Sequence, residues 1–302
     1  MGTQDKEGKP RWHEVTLVVP RLWNEVLPEF LEVKGLSGAW LEEEQEAPHK
    51  LILRSYLPEG KWTTGLQEEI EAYLDRLATI FPAGPLKPEV KTRRIDEEDW
   101  ATKWASLFQP FRIGSVWIRS SLKNVQLSPE EQEIILDPGE AFGTGLHEST
   151  QLCLKSILEL RPNLGENASV LDLGTGSGIL AMFAAKSGFT DILALDVDRA
   201  AVETARRNIA ANGLEHSIQV SNGPLSHVKK RFALIVANLS ATIHKSLGEA
   251  IRSHLEADGW LVAGGLLAGE GTMLSRSWHA TGLELVAQTA RNDWECLIFR
   301  AG

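Results

Sequence analysis

The chain is poor in cysteine, tyrosine and methionine: two, two and three of 302 residues. Cys153 and Cys296 are too few for a disulfide framework and lack zinc-site spacing, so both are expected as small core residues in a reducing compartment. There is no run of about 18 uninterrupted apolar residues, hence no candidate membrane-crossing helix. Met1–Pro10 is polar and charged with no apolar stretch, so no secretory leader is expected. Positive charge is also short: 31 Lys and Arg stand against 41 Asp and Glu, a net charge of −10. Binding to phosphate backbones needs clustered cations, so this balance argues against nucleic acid as a direct partner. It is compatible with a basic protein partner. The expectation from these exclusions is a cytoplasmic globular monomer without membrane contact.

What is present is enough apolar sequence, 43% of residues, to fill two cores, and the length suits two domains. From Trp12 to Arg94 the pattern reads strand, helix, strand, strand, helix, strand. The strands are His13–Val19, Gly38–Glu43, Lys50–Tyr56 and Val90–Arg94, and the helices are Leu22–Val33 and Gly65–Ile80. That order is the ferredoxin-like split βαβ motif. Leu66, Ile70, Tyr73, Leu74 and Leu77 recur at helical spacing and make the second helix the clearest element. Residues 95–123 read as a helical linker. Asp96, Glu97, Glu98 and Asp99 suit a helix N-terminus, and Trp100, Trp104 and Phe108 follow on one face.

Residues 124–302 form the second domain, and strands and helices alternate through most of it. The strands are Ser169–Leu173, Ile192–Asp196, Ile218–Ser221, Ala233–Asn238 and Trp260–Ala263. Ile179–Ser187, Arg199–Asn212, Ala241–Leu255 and Glu270–Thr281 read as helices between and after them. Leu283–Gln288 and Glu295–Arg300 close the chain as a hairpin. Alternation of this kind predicts a mostly parallel sheet covered on both faces, an α/β, Rossmann-like architecture.

The strongest local signal is Val170-Leu171-Asp172-Leu173-Gly174-Thr175-Gly176-Ser177-Gly178. A buried strand runs into a glycine turn that opens a helix, so backbone can approach a nucleotide-sized ligand. A dinucleotide fingerprint would need its third glycine at position 179, where Ile179 stands. Gly174, Gly176 and Gly178 instead give a Gly-x-Gly-x-Gly spacing that suits a cofactor without a pyrophosphate. Asp196 ends the next strand, where a carboxylate can accept both hydroxyls of a ribose; Asp198 is better placed as a helix cap. Asn238 ends a further strand, on the side where open α/β sheets bind ligands, although asparagine is also a common turn residue there. His147 has no partner at metal-ligand spacing and reads as a structural histidine, so no metal site is expected. Glu148–Thr150 open a helix.

Together these residues resemble the PrmA family of methyltransferases, which act on the large-subunit ribosomal stalk-base protein, number eleven. The resemblance is carried by Asp137-Pro138-Gly139, Phe142-Gly143-Thr144-Gly145, His147 and Thr150. It is carried also by Ile95-Asp96-Glu97-Glu98-Asp99-Trp100 with Trp104, and by Pro110-Phe111-Arg112-Ile113-Gly114. Ser149 stands where the family often has threonine. The resemblance implies a seven-stranded methyltransferase sheet, S-adenosylmethionine as cofactor with S-adenosylhomocysteine as product, and cofactor contacts at Thr150, Gly174, Asp196 and Asn238. It also implies that residues 1–94 recognise a ribosomal protein substrate. Amide and adenine N-methyltransferases carry Asn-Pro-Pro-Tyr where this chain has Asn238-Leu239-Ser240, which points to lysine or N-terminal amines as acceptors. Asn238 would then orient the amine, with no dedicated base. The alternative is a paralogue acting on another protein or a small amine.

Overall fold

Val15, Leu17 and Val19 alternate with Glu14, Thr16 and Val18. In the computed structural model this period-2 pattern makes strand β1 (Arg11–Pro20), with the first set completely buried. The structure describes residues 11–23, 27, 30–31, 34, 36–43, 50–81, 86–96, 109–136 and 147–302. The chain divides into two compact units, Met1–Lys103 and Trp104–Gly302.

In the first unit β1 is joined by β2 (Ser37–Glu43), β3 (Lys50–Pro58) and β4 (Glu89–Asp96), paired antiparallel in the order β2-β3-β1-β4. Helix α1 (Thr64–Ile80) starts at Thr63, whose hydroxyl accepts the Leu66 N–H at 3.1 Å. Its Ile70, Leu74 and Leu77 pack with Leu51, Leu53 and Leu57 of β3. Burying each such side chain contributes about 1.5–3 kcal/mol. The helix expected at Leu22–Val33 lies only partly within the described residues. There a 3₁₀ turn, Arg21–Trp23, is followed by buried Leu27 and Leu31 in the same core. The strip Trp100, Trp104 and Phe108 lies outside the described residues.

The second unit opens on a three-stranded sheet, β5 (Phe111–Ile113), β6 (Val116–Arg119) and β7 (Gln132–Ile135). β5 and β6 are antiparallel, β6 and β7 parallel, and Arg119 clamps Glu133 through two bonds of 2.7 and 2.9 Å. Sequence pattern alone assigns Phe111–Arg119 to the connecting zone 95–123; the structure has these residues in a sheet of the second unit. Helix α2 (Glu148–Leu160) leads into the main layer.

That layer runs β8 (Ser169–Leu173), α3 (Ile179–Lys186), β9 (Asp191–Asp196), α4 (Arg199–Ala211), β10 (Ile218–Asn222), β11 (Phe232–Asn238), α5 (Ala241–Ser253), β12 (Leu255–Leu267), α6 (Glu270–His279), β13 (Leu283–Arg291) and β14 (Trp294–Ala301). The seven strands lie in the order β10-β9-β8-β11-β12-β14-β13. β8 to β12 are mutually parallel, and β14 is antiparallel to both of its neighbours. The Rossmann-like expectation holds. The boundaries differ most at β12, which runs Leu255–Leu267 where Trp260–Ala263 is expected: Leu255 begins the strand rather than ending α5, because it pairs with Phe232 and is fully buried. From β8 the chain adds β9 on one side and β11 on the other. Such a reversal opens a crevice beyond the carboxyl ends of those strands.

Candidate functional site

The crevice is floored by the glycine turn after β8. Every residue of β8 is buried, so Leu173 delivers the chain to the sheet edge with no slack. Gly174 then takes φ +75°, and its N–H and that of Thr175 both donate to the Leu195 carbonyl, tying the turn to β9. A Cβ on Gly174 would come within 2.6 Å of Leu239 Cδ2. Gly178, at φ +84°, starts α3, and a Cβ there would lie 3.3 Å from Ala205 Cβ on α4. Both positions need glycine for backbone angle and for close packing.

Asp172 lies beneath this turn. Its Oδ2 accepts the Thr175 hydroxyl at 2.6 Å and the Ala181 N–H at 3.0 Å, while its buried Oδ1 has no partner among the described residues. Burial pushes the carboxyl up from the ordinary 3.8 to about 7, against the pull of those two bonds. The folded pKa therefore lies above the unfolded one. The stability that goes with its proton is full below pH 4 and lost as pH rises through 7. The Asp172→Asn variant has no such titration, so its melting temperature should gain on the parent's by on the order of 5 °C between pH 4 and 8. Melting curves at a series of pH values check this; a pH-independent difference would refute it.

Asp196 ends β9, partly exposed. Its Oδ2 accepts the Gly176 N–H and its Oδ1 the Asp198 N–H, both at 3.0 Å. Asp198 caps α4 through the Ala200 N–H at 2.9 Å, as its position in the sequence implies. Val197, between them, is 73% exposed. Sequence reasoning missed Asn222 at the end of β10. Its side-chain amide donates to the carbonyls of Asp196 and Val197 at 3.0 and 3.1 Å and so fixes this strand end. The available signal was its place at the end of the strand that neighbours β9.

Across the crevice Asn238 ends β11. Its Nδ2 donates to Thr150 Oγ1 on α2 at 3.1 Å, and its buried Oδ1 has no partner among the described residues. Gly264 of β12 stands opposite Asn238 in register, and a Cβ there would lie 3.2 Å from Asn238 Oδ1 and 2.3 Å from Cys153 Sγ. Thus Thr150 meets Asn238, Gly176 meets Asp196, and the Leu239 side chain against Gly174 joins the two sides. All six candidate residues converge at one end of the sheet. His147 bonds Ser149 Oγ at 2.7 Å and stands edge-on to Trp294 at 4.4 Å, and burial lowers its pKa. Among the described residues no cluster of His, Cys, Asp and Glu could hold a metal. Cys153 and Cys296 are both buried thiols, and no helix among the described residues is long and apolar enough to cross a membrane. The Asp137-Pro138-Gly139 and Phe142–Gly145 phrase lies outside the described residues.

Comparison with known proteins bears on this arrangement. A ribosomal protein L11 methyltransferase of Geobacter metallireducens is 34% identical, covering 96% of this chain and 98% of that one. A protein of the same name from Pelobacter propionicus is 32% identical, covering 96% and 97%. The crystal structure of a ribosomal protein L11 methylase from Lactobacillus delbrueckii subsp. bulgaricus superposes with a TM-score of 0.59 at 29% identity, covering 65% of this chain and 100% of its own. The family model described as ribosomal protein L11 methyltransferase matches residues 11–302, and the chain therefore belongs to the PrmA family.

Proposed function

We infer that this chain transfers methyl groups from S-adenosylmethionine to amino groups, of lysine and/or the N-terminus, on ribosomal protein L11. The observation that carries the acceptor side is Asn238: a side-chain oxygen buried and unbonded among the described residues, at the end of β11 across from the glycine turn. Family membership supplies the substrate and the cofactor class.

The residues fit the cofactor. A carboxylate offers about four lone-pair sites, and two N–H groups engage Asp196, which leaves capacity for the two hydroxyls of a ribose. Gly174 and Gly178 let the turn pack tightly against Leu239 and α4, and Gly176 between them, its N–H on Asp196, is the backbone that can come close to the ligand. S-adenosylmethionine supplies, when bound, a methyl carbon already activated by its sulfonium sulfur for in-line displacement. What remains for the protein is position. Thr150 takes one end of the Asn238 amide, so the orphan Oδ1 is the end left to accept an N–H from the incoming amine. The acceptor nitrogen would have to arrive with a free lone pair; its surplus proton would go to solvent, and the electron pair of the broken C–S bond would leave with S-adenosylhomocysteine. No His or carboxylate occurs in Asn238-Leu239-Ser240, and we assign no general base. All six residues come from one chain, so a single copy suffices, and a ribosomal protein as acceptor sets the reaction in the cytoplasm. The net charge of −10 suits a basic partner.

Incubation with purified L11 and isotopically labelled cofactor, followed by mass spectrometry, should find label on lysine side chains and/or the N-terminal amine. Single-turnover rates should climb with pH between about 6 and 9, since lysine titrates near 10.4 and only its unprotonated form has a lone pair to give. An unlabelled L11, label on glutamine, or a flat pH profile would each overturn this reading.

A further inference from the structure

The first turn of α5, which opens three residues beyond Asn238, carries a histidine outside the candidate site. His244 is fully buried, and its Nε2 lies 2.9 Å from the Gly264 carbonyl oxygen. A carbonyl only accepts, so Nε2 carries the proton and donates. Burial lowers the ring's pKa to about 4, which keeps it neutral. The same oxygen accepts the Leu239 N–H at 3.1 Å. Leu239 is gripped from two further sides. Its side chain lies against Gly174, and its backbone approaches Gly265 so closely that a Cβ there would be 2.6 to 2.9 Å from Leu239 O, C and N. Gly264 itself faces Asn238 across the β11–β12 pair.

Stability alone does not require a histidine at this place. Its Nδ1 is buried without a partner among the described residues, as is Nε1 of Trp278, whose ring stands edge-on at 5.6 Å. Unbonded buried nitrogens oppose folding, and an apolar side chain of similar size would avoid one of them. What only a neutral N–H donor supplies is the second bond to the Gly264 carbonyl, on the residue paired with Asn238.

We propose that His244 is a positioning residue for methyl transfer: through the Gly264 carbonyl it holds Leu239, and with it the Asn238 amide, in register with Thr150 and the glycine turn. The proposal rests on the reading of Asn238 as the group facing the acceptor amine. His244 does not touch the reacting atoms in this scheme; it acts by removing freedom from the segment that does.

The test compares His244→Met with His244→Gln, side chains of matched length of which only the second keeps an N–H donor. Hydrogen exchange followed by mass spectrometry reads the clasp without any substrate. The Leu239 amide should exchange about tenfold faster in His244→Met, the loss of roughly one hydrogen bond, and Gly174–Gly178 should be unaffected. His244→Gln should restore most of the protection. With L11 as acceptor, kcat of His244→Met should fall about tenfold, equivalent to about 1.4 kcal/mol, with KM for L11 and cofactor affinity within about threefold of the parent. The glutamine variant should recover at least half of the loss. Equal exchange at Leu239 in both variants, or a kcat that follows the melting temperature rather than the donor, overturns the proposal. If His244→Met does not fold, His244→Phe replaces it; failure of both to fold means that the ring holds the core and not the clasp, which also overturns it. A parent protein that leaves L11 unlabelled counts against the function proposed above, while the exchange measurement still decides the role of His244.

Discussion

Asp196→Ala should weaken S-adenosylmethionine binding by about 10- to 150-fold, the effect of losing a charge-assisted hydrogen bond of about 1.5–3 kcal/mol. Asp196 sits at the carboxyl end of β9, partly exposed, with both oxygens on backbone N–H groups of Gly176 and Asp198. Its loss leaves those two donors at a solvent-reachable strand end, so water can replace the carboxylate and the fold should stand. Asp196→Asn retains one acceptor oxygen and should fall between the parent and the alanine variant. Calorimetric titration with the cofactor reads the affinity, and circular dichroism verifies folding. A folded alanine variant with unchanged affinity would remove Asp196 from the cofactor site.

Removing the first unit should abolish methylation of L11 and leave cofactor binding intact. Every candidate residue, from Thr150 to Asn238, falls in the second unit. The first unit has a core of its own, built from Val15, Leu17, Leu53, Ile70, Leu74 and their neighbours. Two separate cores imply that the second can fill without the first. A chain beginning at Trp104 should therefore bind S-adenosylmethionine within about threefold of full length, a margin near 0.6 kcal/mol, while its activity on L11 becomes undetectable. Full activity on L11 in the shortened chain would show that acceptor recognition lies in the second unit instead.

Most of the second unit was legible because parallel strands covered on both faces are written as unbroken apolar runs. Ile192–Leu195 and Leu234–Ala237 each sit where the runs indicate, Val170–Leu173 does so although Asp172 interrupts its apolar run, and the glycines after Leu173 mark the turn. Strands β5, β6 and β7 were not legible, because three or four residues are too short to display a period of two. The start of β12 at Leu255 was obscured for a different reason. It pairs with Phe232 before a register shift, and Asp258 at φ +61° interrupts the strand pattern. Within the site, the types and strand-end positions of Asp196 and Asn238 were readable. Their partners were not, since the Asn238–Thr150 bond spans 88 residues and the Gly176–Asp196 bond spans 20. Such pairings belong to the topology, and no local window contains both members. The burial that raises Asp172 is likewise a property of the assembled sheet.

The position of β14 constrains how the polypeptide is made. It is inserted between β12 and β13, both of which precede it in the chain. A ribosome delivering the sequence from its amino end can let β8 through β12 zip together as they emerge, but β12 keeps one flank of backbone N–H and C=O groups unsatisfied until Trp294–Ala301 arrives. From Leu267 to Ala301 is 34 residues, roughly 2 to 7 s of synthesis at about 5–20 residues per second. Over that interval the nascent chain presents an open strand edge, the kind of surface on which neighbouring chains pair wrongly. The order of strands thus makes Trp294–Ala301 the keystone of the sheet, which closes only after that segment has been made.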